Sequence, residues 1–353
     1  MFDRDVPGLC PEEAEGPGRT VVVKTMRVDD EGHGGPASLR REVTGLRTAA
    51  HSGVAARVIL TDDRAGVVIQ SDLGTWPTLE TVLIGDDPEQ AATAMVDFGQ
   101  TIGRLHATTL DRRTEHDLAL AEFGSADVTT GGKSGTRGTR RWHVVERACA
   151  ELGFPDARTA RDDIAYVRSQ LDDPGKYAAL VHNDLNPTNA VVTDQGIRLV
   201  DFEGSGFGHI GFDASFLHYP FPHYSADWSV LPEPITHAAD RAYYDTLATA
   251  LPADALQGYD KMLAVGAAAA LASRVLRLPV IARTDQTSHD SWRRRAQLVQ
   301  QIGVFSRLAN RADILSDLAR WTGELAEAMT ERWTDATTPP PRLFPAFAET
   351  DRR

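Results

Sequence analysis

The feature that most constrains this chain is the run from Val181 to Glu203, where short apolar stretches alternate with carboxylates and carboxamides. It reads Val-His-Asn-Asp-Leu-Asn-Pro-Thr-Asn-Ala-Val-Val-Thr-Asp-Gln-Gly-Ile-Arg-Leu-Val-Asp-Phe-Glu. The apolar runs at 179–182, 190–193 and 197–200 predict three short strands separated by polar turns. Asp184 and Asn189 then lie five residues apart in a loop, and Asp201 follows a hydrophobic hairpin twelve residues later. Hard cations such as Mg²⁺ take oxygen ligands, commonly one or two from protein and the rest from substrate phosphates, and Asn189 with Asp201 supply such a pair. Asp184 is left to orient a hydroxyl and accept its proton. Positioning, charge neutralisation by metal and one proton acceptor are what phosphoryl transfer asks of a protein.

The flanking sequence divides into a β-rich front and a helical remainder. Residues 20–28 are β-branched and apolar and predict a strand with Lys24 at its middle. After the turn-rich stretch 29–36, residues 38–50 carry Leu39, Val43 and Leu46 at helical spacing, with Ser38 as N-cap and Glu42 at the centre. Segments 54–61 and 66–70 predict a strand pair. From Asp87 to Thr109 the apolar positions repeat at three- and four-residue steps, predicting a long amphipathic helix. Further helices are expected at 142–152, 157–171, 234–250, 253–277, 290–310 and 311–334, before a loose tail at Pro339-Pro340-Pro341. No internal repeat is present.

Composition narrows the function classes. Fifty acidic residues against 37 basic ones leave a formal charge of −13, which opposes binding to phosphate backbones or anionic lipid and permits a cationic small partner. Cys10 and Cys149 are too few for a disulfide framework or a zinc site, so a cytoplasmic chain held by its core is expected. The front end shows no secretory signal, and the alanine-rich stretch 262–273 is too short to span a bilayer, so no membrane role is expected. All but four of the basic residues are arginine, which singles out Lys24, the one lysine before residue 133.

The central run resembles the eukaryotic-type kinase superfamily, whose catalytic loop is His-x-Asp-Leu-x-x-x-x-Asn followed by Asp-Phe-x. His182, Asp184, Leu185, Asn189, Asp201 and Phe202 fall on those positions. Protein kinases carry lysine two residues after the catalytic aspartate and glycine after Asp-Phe. Here Asn186 and Glu203 stand there and no Ala-Pro-Glu segment follows, which argues against protein substrates. The pattern His-Asn-Asp-Leu-Asn-Pro-Thr-Asn, with Val-Asp-Phe-Glu-Gly and Gly-Phe-Asp-Ala at 211–214, is similar to the aminoglycoside phosphotransferase and choline kinase group.

The resemblance spans most of the chain. It implies an α+β, bilobed protein-kinase-like fold, with a nucleotide-binding N-lobe over 1–72 and a helical C-lobe over 73–353. It implies phosphorylation of a small-molecule hydroxyl by ATP or GTP with Mg²⁺. The leading acceptor is an aminoglycoside or amino sugar; the alternatives are a choline-type or sugar kinase, or a non-catalytic binding protein that keeps the fold. Asp184 would accept the substrate proton, and Asn189 and Asp201 would hold Mg²⁺. Lys24 would clamp the α- and β-phosphates, Glu42 would fix Lys24, and backbone groups near Gln70 and Ser71 would meet adenine. By the same resemblance Asp213 buttresses the catalytic loop, while His106 is read as a packed helix residue.

Other signals are weaker. Gly131-Gly132-Lys133-Ser134 lacks the first glycine and the preceding strand of a P-loop and is read as a surface loop. The aromatics Phe207, Phe212, Phe216, Tyr219, Phe221, Tyr224 and Trp228 read as core rather than as a cation–π box. Glu203 has two readings, facing a second metal or the substrate, or capping a turn. Glu15-Gly16-Pro17-Gly18 is a poor version of the Gly-rich loop expected before Lys24. Either the natural chain starts further upstream, or this N-lobe lacks its first strand and binds nucleotide weakly. Oligomeric state is left open by the sequence.

Overall fold

The computed structural model describes residues 20–25, 35–122, 138–219, 229–283, 292–337 and 342–348. The expected Gly-rich segment at 15–18, the loop residues Lys133 and Arg137, and Phe221, Tyr224 and Trp228 lie outside them.

The fold is α+β and two-lobed. Its small part is an antiparallel sheet of β1 (Val21–Thr25), β2 (Val58–Asp62) and β3 (Val67–Ser71), in the order β1-β3-β2. Helix α1 (Pro36–Ala49) packs Leu39 and Val43 onto Val68 of the central strand. The predicted strand at 54–61 begins later, at Val58. Ala55 instead forms a parallel bridge to Leu199, and Leu199 N donates to Val54 O at 2.6 Å, so these residues join the hairpin at 190–199.

The larger part is helical. Helix α2 (Leu79–Leu83) precedes α3 (Pro88–Thr109), which starts sharply because Asp87 Oδ1 accepts from the amides of Glu89 and Gln90. Its apolar stripe, Met95, Phe98, Ile102 and Leu105, is fully buried. Helix α4 (Arg113–Ala121) then packs behind α1, followed by α5 (Trp142–Leu152) and α6 (Arg161–Asp172). Four short strands follow: β4 (Ala178–Val181), β5 (Ala190–Thr193), β6 (Gly196–Leu199) and β7 (Gly206–His209). They pair antiparallel as β4 with β7 and β5 with β6. After the single turn α7 (Gly211–Ala214), the body is completed by α8 (Glu233–Leu247), α9 (Ala253–Gln257), α10 (Tyr259–Val275), α11 (Leu278–Arg283), α12 (Trp292–Ala312) and α13 (Ser316–Arg332).

Further expectations need correction. Helix α1 starts at Pro36 with Gly35 as its N-cap, so Ser38 lies inside the helix rather than capping it. The helix expected over 253–277 is broken at Gly258, where Tyr177 reaches in and donates to Ala255 O at 2.7 Å; a Cβ on Gly258 would lie 2.3 Å from the phenol oxygen. The break expected at 310–311 falls at 313–315, where Asp313 and Leu315 take left-handed conformations. The chain beyond the prolines is not loose: β8 (Ser229–Val230) and β9 (Arg342–Leu343) pair in parallel, and Phe344 is fully buried. The described members of the aromatic cluster are core, with Phe207, Phe212 and Tyr219 each buried.

Helix α10 is buried on nearly every side, and Gly266 is what lets it touch the α7 turn. A Cβ at Gly266 would lie 1.8 Å from Gly211 O. Gly266→Ala therefore costs about 3 kcal/mol by overpacking and lowers Tm by roughly 4 °C. Gly323→Ala, in α13 with nothing within 4 Å of the added methyl, raises stability by about 0.5–1 kcal/mol. Thermal denaturation followed by circular dichroism checks both signs.

Candidate active site

Strand β4 runs directly into the loop that carries Asp184, and one buried carboxylate shapes that loop. Asp213 is fully enclosed; its Oδ2 accepts from His182 N at 2.6 Å and its Oδ1 from Asn183 N at 2.9 Å. His106 Nε2 of α3 lies 3.3 Å from Asp213 Oδ2, and its Nδ1 lies 2.9 Å from the Tyr243 hydroxyl of α8. Asn183 takes a left-handed conformation, φ 65°, and its side-chain amide donates to Gly204 O at 2.9 Å. His182 Nε2 donates to Val200 O at 2.9 Å, with its ring against Phe202. The turn is thereby tied to the segment after β6. A buried carboxylate is retained at this cost only where several donors meet it, which is the arrangement seen.

Two amides hold the Asp184 carboxylate. Asn186 Nδ2 donates to Asp184 Oδ1, and Asn189 Nδ2 donates to Asp184 Oδ2 at 3.2 Å and to its backbone carbonyl at 2.9 Å. Burial raises the Asp184 pKa above its ordinary value, the charge of His182 opposing and that of Asp201 adding to the rise. Asn189 uses its amide nitrogen on Asp184, which leaves its amide oxygen for another ligand. Val200 N donates to Asn189 O at 3.0 Å, so the backbone beside Asp201 is bonded to Asn189. Asp201 itself sits at φ 68°, the left-handed turn that redirects the chain after β6. The hairpin is gripped on both edges: Val192 N donates to Pro77 O, and Ile197 N to Asp97 Oδ2 of α3 at 2.7 Å.

The front sheet supplies the cation. Lys24 faces Val68 across the β1–β3 ladder, and its ammonium donates to Asp201 Oδ1. The same ammonium lies 3.2 Å from Glu42 Oε2, out of line for a hydrogen bond, so this contact is an ion pair. Burial works against the Lys24 charge, but Glu42 and Asp201 outweigh it and hold the pKa above its ordinary value. Glu42 is wholly buried on α1, and burial pushes it up to about 7 while Lys24 pulls it down. Both shifts are upward for opposite reasons: burial disfavours the charged Glu42 carboxylate, whereas two anions favour the charged Lys24 ammonium.

Of the residues the sequence points to, Glu42, Lys24 and Asp201 are joined by side-chain contacts, as are Asn189 and Asp184, and a backbone hydrogen bond from Val200 N to Asn189 O ties the two groups. Gln70 and Ser71 are on the neighbouring strand β3. Ser71 N donates to Arg57 O at 2.9 Å, so that amide is not open to a base; Gln70 is buried with its side-chain oxygen unpartnered. Asn186 was noted only as a departure from protein kinases; an amide two residues from a loop carboxylate is the signal that finds it. Arg41, beside Glu42, carried no such signal. Among the described residues, no group of three or more His, Cys, Asp or Glu side chains is placed to hold a metal ion. The oxygen pair Asn189 and Asp201 still fits Mg²⁺, which draws its remaining ligands from phosphate and water. None of the described helices is long and apolar enough to cross a membrane.

The fold thus carries a loop carboxylate, two further oxygen donors and a strand lysine paired to a helix glutamate. The chain belongs to the phosphotransferase enzyme family, whose sequence profile matches residues 15–262, and it is a small-molecule phosphotransferase. No curated protein sequence matches it. Among solved structures, a choline kinase from Cryptosporidium parvum Iowa II aligns at 13% identity over 86% of this chain and 86% of its own, with a TM-score of 0.49. The ADP-bound aminoglycoside phosphotransferase APH(2'')-Ib aligns at 14% identity over 86% of this chain and 88% of its own, TM-score 0.45. The macrolide 2'-phosphotransferase MphH from Brachybacterium faecium aligns at 20% identity over 75% and 88%, TM-score 0.40.

The Glu42 shift has a consequence for stability. A carboxyl whose folded pKa lies above its unfolded value holds its proton more tightly in the folded chain. Its contribution is present below the ordinary value of 4.5 and is lost as pH rises through about 7. Relative to Glu42→Gln, the wild-type Tm therefore falls as pH goes from about 4.5 to 7.5, by a difference on the order of 5 °C. Parallel melting curves of the two proteins across that range check the sign.

Proposed function

We propose that this phosphotransferase moves the γ-phosphoryl group of ATP or GTP onto a hydroxyl of a small molecule. The nucleotide would bind between a small lobe ending near residue 72 and the helical lobe that follows. The observation that supports the reading is the Glu42–Lys24–Asp201 contact group, tied through the backbone bond from Val200 N to Asn189 O to the Asn189–Asp184 pair. It joins one proton acceptor, two oxygen ligands and one phosphate-binding cation in a single gap.

In this reading Asp184 accepts the proton of the attacking hydroxyl. Its raised pKa suits a group that must take up a proton, and the amides of Asn186 and Asn189 fix its plane. Asn189 and Asp201 would hold Mg²⁺, which when bound neutralises phosphate charge and orients the triphosphate. Lys24 offers its ammonium to the phosphate oxygens in place of Asp201, with Glu42 keeping it in reach. The base would rest against the end of β3 beside Gln70.

For the acceptor, an aminoglycoside or amino sugar leads, and the formal charge of −13 permits the acidic cleft that a polycation needs. ATP consumption measured against aminoglycosides, amino sugars, choline and homoserine identifies the class. A binding protein that has lost its chemistry would consume ATP with none of them.

Asp184→Asn lowers turnover by about 10²–10⁴-fold, the range for loss of a positioned proton acceptor. Mg-ATP affinity measured by calorimetry stays within about threefold of wild type, since the variant keeps the shape and can still accept from one of the two amides. Retained turnover removes Asp184 from its role.

A further inference from the structure

Glu42 works only if α1 is held at the right height over the turn that follows β6, and this contact has its own hardware. Arg41, the neighbour of Glu42, donates through Nε to Glu203 O at 2.6 Å and through Nη2 to Ser38 Oγ at 3.0 Å. In return Ser205 Oγ donates to Arg41 O at 3.2 Å. One turn further along α1, Gly45 sits flat on the same segment: a Cβ there would lie 2.1 Å from Ser205 Oγ and 3.2 Å from Phe202 Cβ. Phe202 and Ser205 are both fully buried. The far end of α1 is held separately, Thr48 Oγ1 lying 3.2 Å from His116 Nδ1 of α4.

We infer that Arg41, Gly45 and Ser205 form a fixed latch between α1 and the turn at 202–205, which assembles the Lys24–Glu42 pair before nucleotide arrives. The inference rests on the reading above, in which Lys24 meets the phosphates. Arg41 and Ser205 are positioning residues: they touch neither nucleotide nor acceptor. The latch also assigns Glu203. Its backbone carbonyl anchors Arg41 and its charge supports the guanidinium against burial, which places it on the helix side of the turn rather than among the oxygen ligands.

The geometry explains why the contact tolerates so little change. The guanidinium bridges the helix start to a carbonyl 162 residues away, and the glycine lets the helix backbone close directly on the Ser205 and Phe202 side chains. A helix seated this closely cannot swing outward without breaking both hydrogen bonds and exposing Phe202. An equilibrium between assembled and open forms is therefore set far toward the assembled one.

The test is Mg-ATP binding by titration calorimetry on full-length protein. Arg41→Ala weakens Kd about 10-fold with binding stoichiometry unchanged, and Arg41→Lys, which keeps a donor for the Glu203 carbonyl, recovers most of that loss. A merely structural role would lower stoichiometry and leave Kd alone. Gly45→Ala weakens Kd at least as much, and adding Ser205→Gly, which removes the oxygen the methyl would strike, restores part of it. If Arg41→Ala does not fold, the Gly45 and Ser205 pair decides the matter. Unchanged Kd in Arg41→Ala, or no recovery in the double variant, overturns the latch while leaving the phosphotransferase reading intact. Failure of wild type to bind either Mg-ATP or Mg-GTP removes that reading and the latch with it.

Discussion

One ammonium group joins the parts of this molecule that matter. Lys24 comes from an edge strand of the small sheet, Glu42 from the only helix packed on that sheet among the described residues, and Asp201 from a hairpin 177 residues further along the chain. Without the lysine, Glu42 would be a buried carboxylate with no counter-ion and Asp201 an unopposed anion beside Asp184. Removing one partner of a buried pair leaves the other uncompensated, which costs far more than the pair itself contributes. The sheet, α1 and the hairpin are therefore committed to one arrangement by charge as well as by packing.

The helical body makes that arrangement stiff. Asp213 fixes the backbone of His182 and Asn183, and His106 and Tyr243 extend the network into α3 and α8, the two longest-shared faces of the core. Close backbone approach at Gly99, where a Cβ would lie 2.1 Å from Ala239 O, brings those helices together. Asp97 of the same α3 caps the hairpin through Ile197 N. One helix thus supports both the loop bearing Asp184 and the hairpin flanked by Asn189 and Asp201, so the three oxygen-bearing side chains keep their spacing.

Much of this was legible in the residues. The hairpin was readable because β-branched runs of four residues alternate with turns, and 190–193 and 196–199 fall on or within one residue of expectation. The β-branched run at 20–28 and the helical spacing of Leu39, Val43 and Leu46 carried the strand and helix assignments around Lys24 and Glu42. What stayed hidden is long-range. The join of Val54 and Ala55 to Leu199 has no local pattern, so those residues read as the start of β2. Gly258 looked like a tolerated glycine inside a helix until Tyr177 supplied the reason for the break. Arg41 is one arginine among many, and only its carbonyl partner at Glu203 distinguishes it.

The central claim is that Asn189 and Asp201 meet one metal-bound triphosphate with Lys24 alongside. A crystal structure with a non-hydrolysable ATP analogue and Mn²⁺ measures this directly through the anomalous signal of the metal. The account predicts one principal peak within coordination distance of the Asn189 amide oxygen and the Asp201 carboxylate, with Lys24 turned from Asp201 onto phosphate oxygens. A metal held elsewhere, or a nucleotide bound while Lys24 stays closed on Asp201, would contradict it.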